Sequence, residues 1–179
     1  HGGQVPPGGL TTFGNGFLPA QHQGSVFSST PPAIRNLIRH EESAALQAKK
    51  LSYLKQFDAE LLNETDGEGE IEAAIANYEL AFRMQMAVPE AMDLSQETEE
   101  TKRLYGIDSK FQPTRAYGTQ CLLARRMVER GVRFIELTIC KQEGVDRWDQ
   151  HGNLRKGHPK NAQAVDQPIA GLIKDLKRR

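Results

Sequence analysis

Apolar residues recur at steps of three and four along much of this chain. Between Ile34 and about Leu62, Leu46, Tyr53/Leu54, Phe57 and Leu61 mark one helical face, with the stem of Lys50 in register. Asn63-Glu64-Thr65-Asp66-Gly67 breaks the pattern, and Asp66 suits the N-cap of a second helix from Glu68 to about Met86. Ile71, Ala74/Ile75, Tyr78 and Phe82 line that helix. Two long helices joined by a short polar turn predict an αα-hairpin, closed by Met84, Met86, Val88 and Pro89.

Ser95 is placed to cap a short helix through Tyr105, with Glu97, Glu99 and Glu100 near its positive dipole end and Gly106 as its stop. A longer helix is expected from Thr114 to Arg130. Leu123/Ala124 and Met127/Val128 point inward, and Gly131 serves as the C′ residue. Val132 to Ile139 then read as a strand. Phe134 and Ile135 together with Leu137 and Ile139 exceed a one-sided alternation, as in an inner strand. A last helix spans about His158 to Arg179, with Val165, Ile169, Leu172/Ile173 and Leu176 on one face and a kink expected at Pro168.

The order is loop, helical hairpin, short helix, helix, strand, helix. One strand makes no sheet, so the expected fold class is an α/β fragment, mostly helical as it stands. Three segments are expected: a Gly/Pro-rich loop over 1–33, a helical insertion over 34–112, and a helix-strand-helix piece of an α/β core over 113–179. Phe13, Phe17, Leu18 and Phe27 in the first segment suggest an ordered loop laid over another surface rather than a plain linker.

The 179 residues carry 23 Lys+Arg and 23 Asp+Glu, a net charge of zero. That balance argues against a nucleic-acid partner and against an electrostatic membrane anchor. No apolar run approaches the roughly 18 residues of a membrane span. Mean hydropathy is −0.57, polar for a globule. Of the two cysteines, Cys121 falls on a helix and Cys140 at a strand end; both are expected to be small buried apolar residues rather than a disulfide pair.

The candidate chemistry lies in the loop after the expected strand. Asp149 and His151 are two residues apart, so in an extended loop their side chains converge on one side. Carboxylate plus imidazole suits Zn²⁺ or another divalent metal, although a catalytic site needs about three protein ligands. The same spacing also fits a loop in which Asp149 bonds backbone amides and His151 is packed or solvated. His158 and Asp146 are close enough in sequence to join. Trp148 could wall the site, and Asn153 could orient a ligand or make a turn. Arg125, Arg126, Arg133 and Glu136 read as ion pairs or solvated charges, and Asp166 and Asp175 as surface residues.

Several stretches together resemble one family, the domain of unknown function 1501. They include Asn77-Tyr78-Glu79-Leu80-Ala81-Phe82-Arg83, Pro89-Glu90-Ala91-Met92-Asp93-Leu94-Ser95, Tyr105-Gly106, Gly118-x-Gln120-Cys121-Leu122-Leu123-Ala124-Arg125-Arg126 and Gly131-Val132-Arg133-Phe134. Trp148-Asp149-x-His151-Gly152-Asn153 and the stretch from Asp166 to Lys177 complete the likeness. The resemblance implies the alkaline-phosphatase and sulfatase-like superfamily: a sheet sandwiched by helices, with divalent metals (Zn, Ca or Mn type) at the strand ends. It implies Asp149 and His151 as metal ligands, a metal-bound Ser, Thr or modified Cys as nucleophile, and export to the periplasm or beyond. The implied substrates are small-molecule or polysaccharide sulfate or phosphate esters. The family continues beyond Leu176-Lys177 into a strand, a Glu-Phe-Gly-Arg-Thr-Pro motif and an Asp-His pair, so this stretch alone is expected to be inactive. The alternatives are a non-catalytic binding or surface-scaffold protein of the same fold, and an independent helical interaction module.

Overall fold

The computed structural model describes residues 14, 16–18, 24–27, 43–64, 75, 79, 88–139, 148 and 152–179. Most of these are helical. Among the described residues four helices have both ends defined: α1 (Ala44–Glu64), α2 (Glu99–Leu104), α3 (Gln112–Glu129) and α4 (Leu154–Arg178). The described residues divide between two compact units, one ending at Glu90 and the other running from Ala91 to Arg179.

The first unit contains α1, which begins with the backbone N–H of Leu46 donating to Ser43 Oγ. The predicted helix is present from Ala44 on, residues 34–42 lying outside the described residues, and its apolar face is not covered: Tyr53, Phe57 and Leu61 are all exposed, Phe57 at 67%. The buried side lies elsewhere on the cylinder, at Gln47. Of the expected second helix only Ile75 and Glu79 are described, both helical, and Lys55 Nζ reaches Glu79 Oε1 at 2.7 Å. That pair links α1 to the expected second helix, whose other residues, with the turn joining the two, lie outside the described residues. Residues 88–92 are helical, so Pro89 sits within a helical turn instead of ending one. In the Gly/Pro-rich segment Phe17 is 98% exposed, and most of that loop lies outside the described residues.

The second unit is built around α3. Buried residues occur nearly all round this helix, from Thr114, Gly118 and Cys121 on one side to Leu123, Ala124 and Met127 on the other. A helix buried on several sides is a central element. Pro113 opens it, where the missing N–H removes no helical bond. Val128, expected inside, is exposed; the inward positions are Cys121 and Leu122.

The turn after α2 is wedged between α3 and α4. Thr98, not Ser95, caps α2: its Oγ1 accepts from the backbone N–H of Thr101. The backbone N–H of Ser95 is used differently, donating to Asp93 Oδ1 at 2.9 Å. At the other end Gly106 N–H donates to Arg103 O and Ile107 N–H to Lys102 O, a Schellman motif with Gly106 at φ +70°. Gly131 closes α3 in the same way, at φ +88°, with its N–H on Val128 O and that of Val132 on Met127 O. Both glycine stops are where the sequence predicts them.

Two other glycines let the helices close on that turn. A Cβ on Gly118 would stand 2.1 Å from Tyr105 O, and one on Gly171 would stand 2.5 Å from Leu104 O. Tyr105 is consequently fully buried and forms the core with Cys121 and Leu122, against Leu94, Leu104, Ile107, Tyr117, Leu137 and Leu172. Thr114 Oγ1 donates to Gln163 O at 2.7 Å, and Gln167 Nε2 to Arg103 O at 2.7 Å, stitching α4 to its neighbours.

The last helix departs from expectation in two ways. It starts at Leu154, four residues before His158, with the carbonyl of Asn153 accepting from Lys156 and Gly157. It also buries only part of the expected face, with Val165 buried and Leu172 packed on the core. Asn161, Ala164, Val165, Pro168, Gly171 and Asp175 turn inward, while Ile169, Ile173 and Leu176 remain exposed. Small residues are selected on the inner face by the close backbone approach at Gly171, so the rest of the large apolar stripe is displaced outward.

The expected strand is the main correction. Residues 132–139 have no regular secondary structure, and there is no strand among the described residues. Apolar patterning alone cannot make a strand; the backbone needs a hydrogen-bonding neighbour along its edge, and none of the described residues provides one. Phe134 is 84% exposed, whereas Leu137 packs against the core. What stands is a mostly helical fold; the phosphatase-like sheet is an expectation taken up below.

Candidate functional site

Asp149 and His151, with Asp146, lie outside the described residues, as do His22, His40 and Cys140. The residues flanking the pair are described. The Trp148 ring meets the His158 imidazole edge-to-face, with centroids 5.9 Å apart and planes at 74°. This contact joins the residue just before Asp149 to the second turn of α4. Both rings are largely exposed. Asn153 occupies the N-cap position, but its side chain makes no capping bond. Trp148, Asn153 and His158 are thus described residues that flank Asp149 and His151 along the chain. Among the described residues no three His, Cys, Asp or Glu side chains converge as a metal cluster.

The buried polar chemistry is elsewhere: Arg125 and Arg126 form the ion pairs that were one of their two sequence readings, although their burial was not foreseen. Arg125 is 3% exposed and sits at the centre of an ionic cluster. Its Nη2 donates to Glu97 Oε1 at 2.6 Å and its Nη1 to Glu129 Oε2 at 2.6 Å. Its Nε lies 3.4 Å from Asp175 Oδ2, an ion contact without hydrogen-bond geometry. Arg126 Nη1 donates to Glu97 Oε1 as well, and its Nε to Ala91 O. Arg179 pairs with Asp175 and Glu129. Three arginines thus face three carboxylates, which is how buried charge is tolerated.

Asp175 corrects the sequence reading most clearly, because it is buried rather than on the surface. It accepts from the Tyr105 hydroxyl at 3.0 Å. Burial, reinforced by the Asp175 carboxylate, pushes the Tyr105 phenol well above its usual range. Glu97 feels opposed effects. Burial pushes its carboxyl up, but hydrogen bonds from Arg126 and Arg125 outweigh this and hold it below the usual range. Cys121 is a free thiol pushed up to about 12 by burial alone, and so is an inert packing residue, as expected. The i,i+4 spacings Arg125–Glu129 and Asp175–Arg179 were visible in the sequence. The long-range partners Glu97 and Tyr105 were not, since only the folded turn brings them in.

No helix of the described residues is long and apolar enough to cross a membrane. No curated protein matches the chain, and no solved structure matches it. A family model matches residues 1–179 in full. The chain therefore belongs to the family described as Protein of unknown function (DUF1501).

Proposed function

We propose that the complete protein is an exported, metal-dependent hydrolase of sulfate or phosphate esters, with Asp149 and His151 as ligands of a divalent metal. The observation that carries this reading is the Trp148–His158 contact. It brings a third metal-competent side chain, His158, against the residue that precedes Asp149 in the sequence, and Asp149 and His151 are spaced along the chain to share one ion. Two nitrogens and one carboxylate oxygen are a donor set suited to Zn²⁺ and compatible with Mn²⁺. The metal would supply charge stabilisation at the transferred group and activate a nucleophile. Asp149 and His151 would hold it, His158 would complete the set or orient it, and Trp148 would shield one side from water. The sheet that would present this loop at a strand end belongs to the same proposal.

The test is hydrolysis of 4-nitrophenyl sulfate and 4-nitrophenyl phosphate by the complete protein, with added Zn²⁺, Mn²⁺ or Ca²⁺ and with chelator. Hydrolysis is expected to be metal-dependent, and Asp149→Ala to lower it by about 100-fold or more, the upper range for disturbing a metal's support. Turnover unchanged by Asp149→Ala would sink the assignment. A second reading, a non-catalytic binding scaffold, is favoured by the described charges. The most deeply buried ones neutralise one another and hold helices together.

A further inference from the structure

We propose that α1 is a self-association surface on which a second copy of this chain docks its own α1 in antiparallel orientation. The surface is an open apolar groove of about 490 Å³ lined by Leu46, Lys49, Lys50, Tyr53, Leu54 and Phe57. With Leu61 it extends over most of the 21-residue helix, a length of about 31 Å at 1.5 Å per residue. Exposed apolar side chains in one continuous stripe mark an interaction face.

The charges on the helix select the occupant. Lys49 and Lys50 lie in the N-terminal half, and Asp58 and Glu60 in the C-terminal half. This is the reverse of what the helix dipole favours; no acidic residue lies in the first turn and no basic one in the last. An antiparallel copy offsets both mismatches, because it lays each half against the oppositely charged half of its partner. The register is specific. Lys49 and Glu60 are eleven residues apart, three helical turns, so they share one flank of the stripe. Both are exposed, and neither forms an ion pair among the described residues. In an antiparallel pair the same flank of each helix faces its counterpart. Lys49 of each copy then meets Glu60 of the other about a two-fold axis near Leu54, and Tyr53 and Phe57 interleave at the centre. A parallel pairing would place the two Lys49 side chains on opposite sides of the contact, each away from the partner's Glu60. The two-fold contact is self-complementary, as the commonest dimers are.

Sedimentation equilibrium of the 179-residue chain over a concentration series tests this, with helicity checked by circular dichroism. A reversible monomer–dimer equilibrium is expected, abolished by Phe57→Asp. Lys49→Glu and Glu60→Lys alone should each weaken it at least tenfold. An equimolar mixture of those two variants should recover wild-type association, because both flank contacts then join opposite charges. A chain that stays monomeric at every concentration overturns the proposal. So does a dimer indifferent to Phe57→Asp, or a mixture associating no better than its components.

Discussion

Replacing Arg125 with alanine is expected to destabilise the protein by about 3–5 kcal/mol, the range for removing one partner of a buried ion pair. The loss is large because the guanidinium serves three carboxylates at once. Glu97 and Glu129 lose their 2.6 Å hydrogen bonds, and Asp175 keeps only Arg179 and the Tyr105 hydroxyl. Arg125→Lys keeps the charge but not the fork, so it should recover only part of the loss. Urea denaturation at neutral pH measures both.

The same network sets an acid limit. Glu97 is held below its ordinary value in the folded state, so its contribution is present above the unfolded carboxylate range, near pH 4.3. It is lost as pH falls through the lower folded value. With Arg125 gone, Arg126 alone holds Glu97, and stability should fall less steeply between roughly pH 5 and pH 3. A loss below about 1 kcal/mol, the level of a surface pair, would mean that the cluster is not a structural hub.

Gly118→Ala is expected to destabilise by about 3 kcal/mol, the upper end for overpacking, although alanine is the better helix former by about 1 kcal/mol. The added methyl would meet backbone, Tyr105 O at 2.1 Å and Tyr105 C at 3.2 Å, and backbone in a capped turn cannot swing aside. The helix must retreat, and Tyr105 with its bond to Asp175 goes with it. Gly152→Ala is the control: nothing lies within 4 Å of its added carbon, and the change should be close to neutral. Thermal unfolding of the two variants side by side decides it. Equal melting temperatures would mean that α3 does not depend on close approach to that turn.

These two residues show what could be read in the sequence. Helix positions followed from periodicity, and Gly106 and Gly131 were recognisable as stops because a positive φ at a helix end is a local demand. Gly118 and Gly171 appeared only as part of a family likeness. Their reason is a contact with residues 104 and 105, which no local pattern encodes. The shift of the α4 face has the same cause: of the large apolar residues read as inward, Val165 and Leu172 do pack, but Ile169, Ile173 and Leu176 are displaced outward by small residues at the close approach. Asp175 looks like a surface charge, and the partners of Arg125 are unreadable, until the fold brings Tyr105 and Glu97 to them. The strand at 132–139 failed for a related reason, since pairing is a property of two segments and the sequence supplies one. The Trp148–His158 contact joins residues that lie only ten positions apart, which is why local sequence reading could group them.

The most direct test of the metal loop uses the single tryptophan of this chain, which stands next to Asp149 and against His158. Emission from Trp148 should be titrated with Zn²⁺, Mn²⁺ and Ca²⁺. A saturable change at one equivalent of metal is expected, absent in Asp149→Ala and His151→Ala and weakened in His158→Ala. A wild-type chain whose emission shows no saturable response, or a response that survives Asp149→Ala together with His151→Ala, contradicts the assignment.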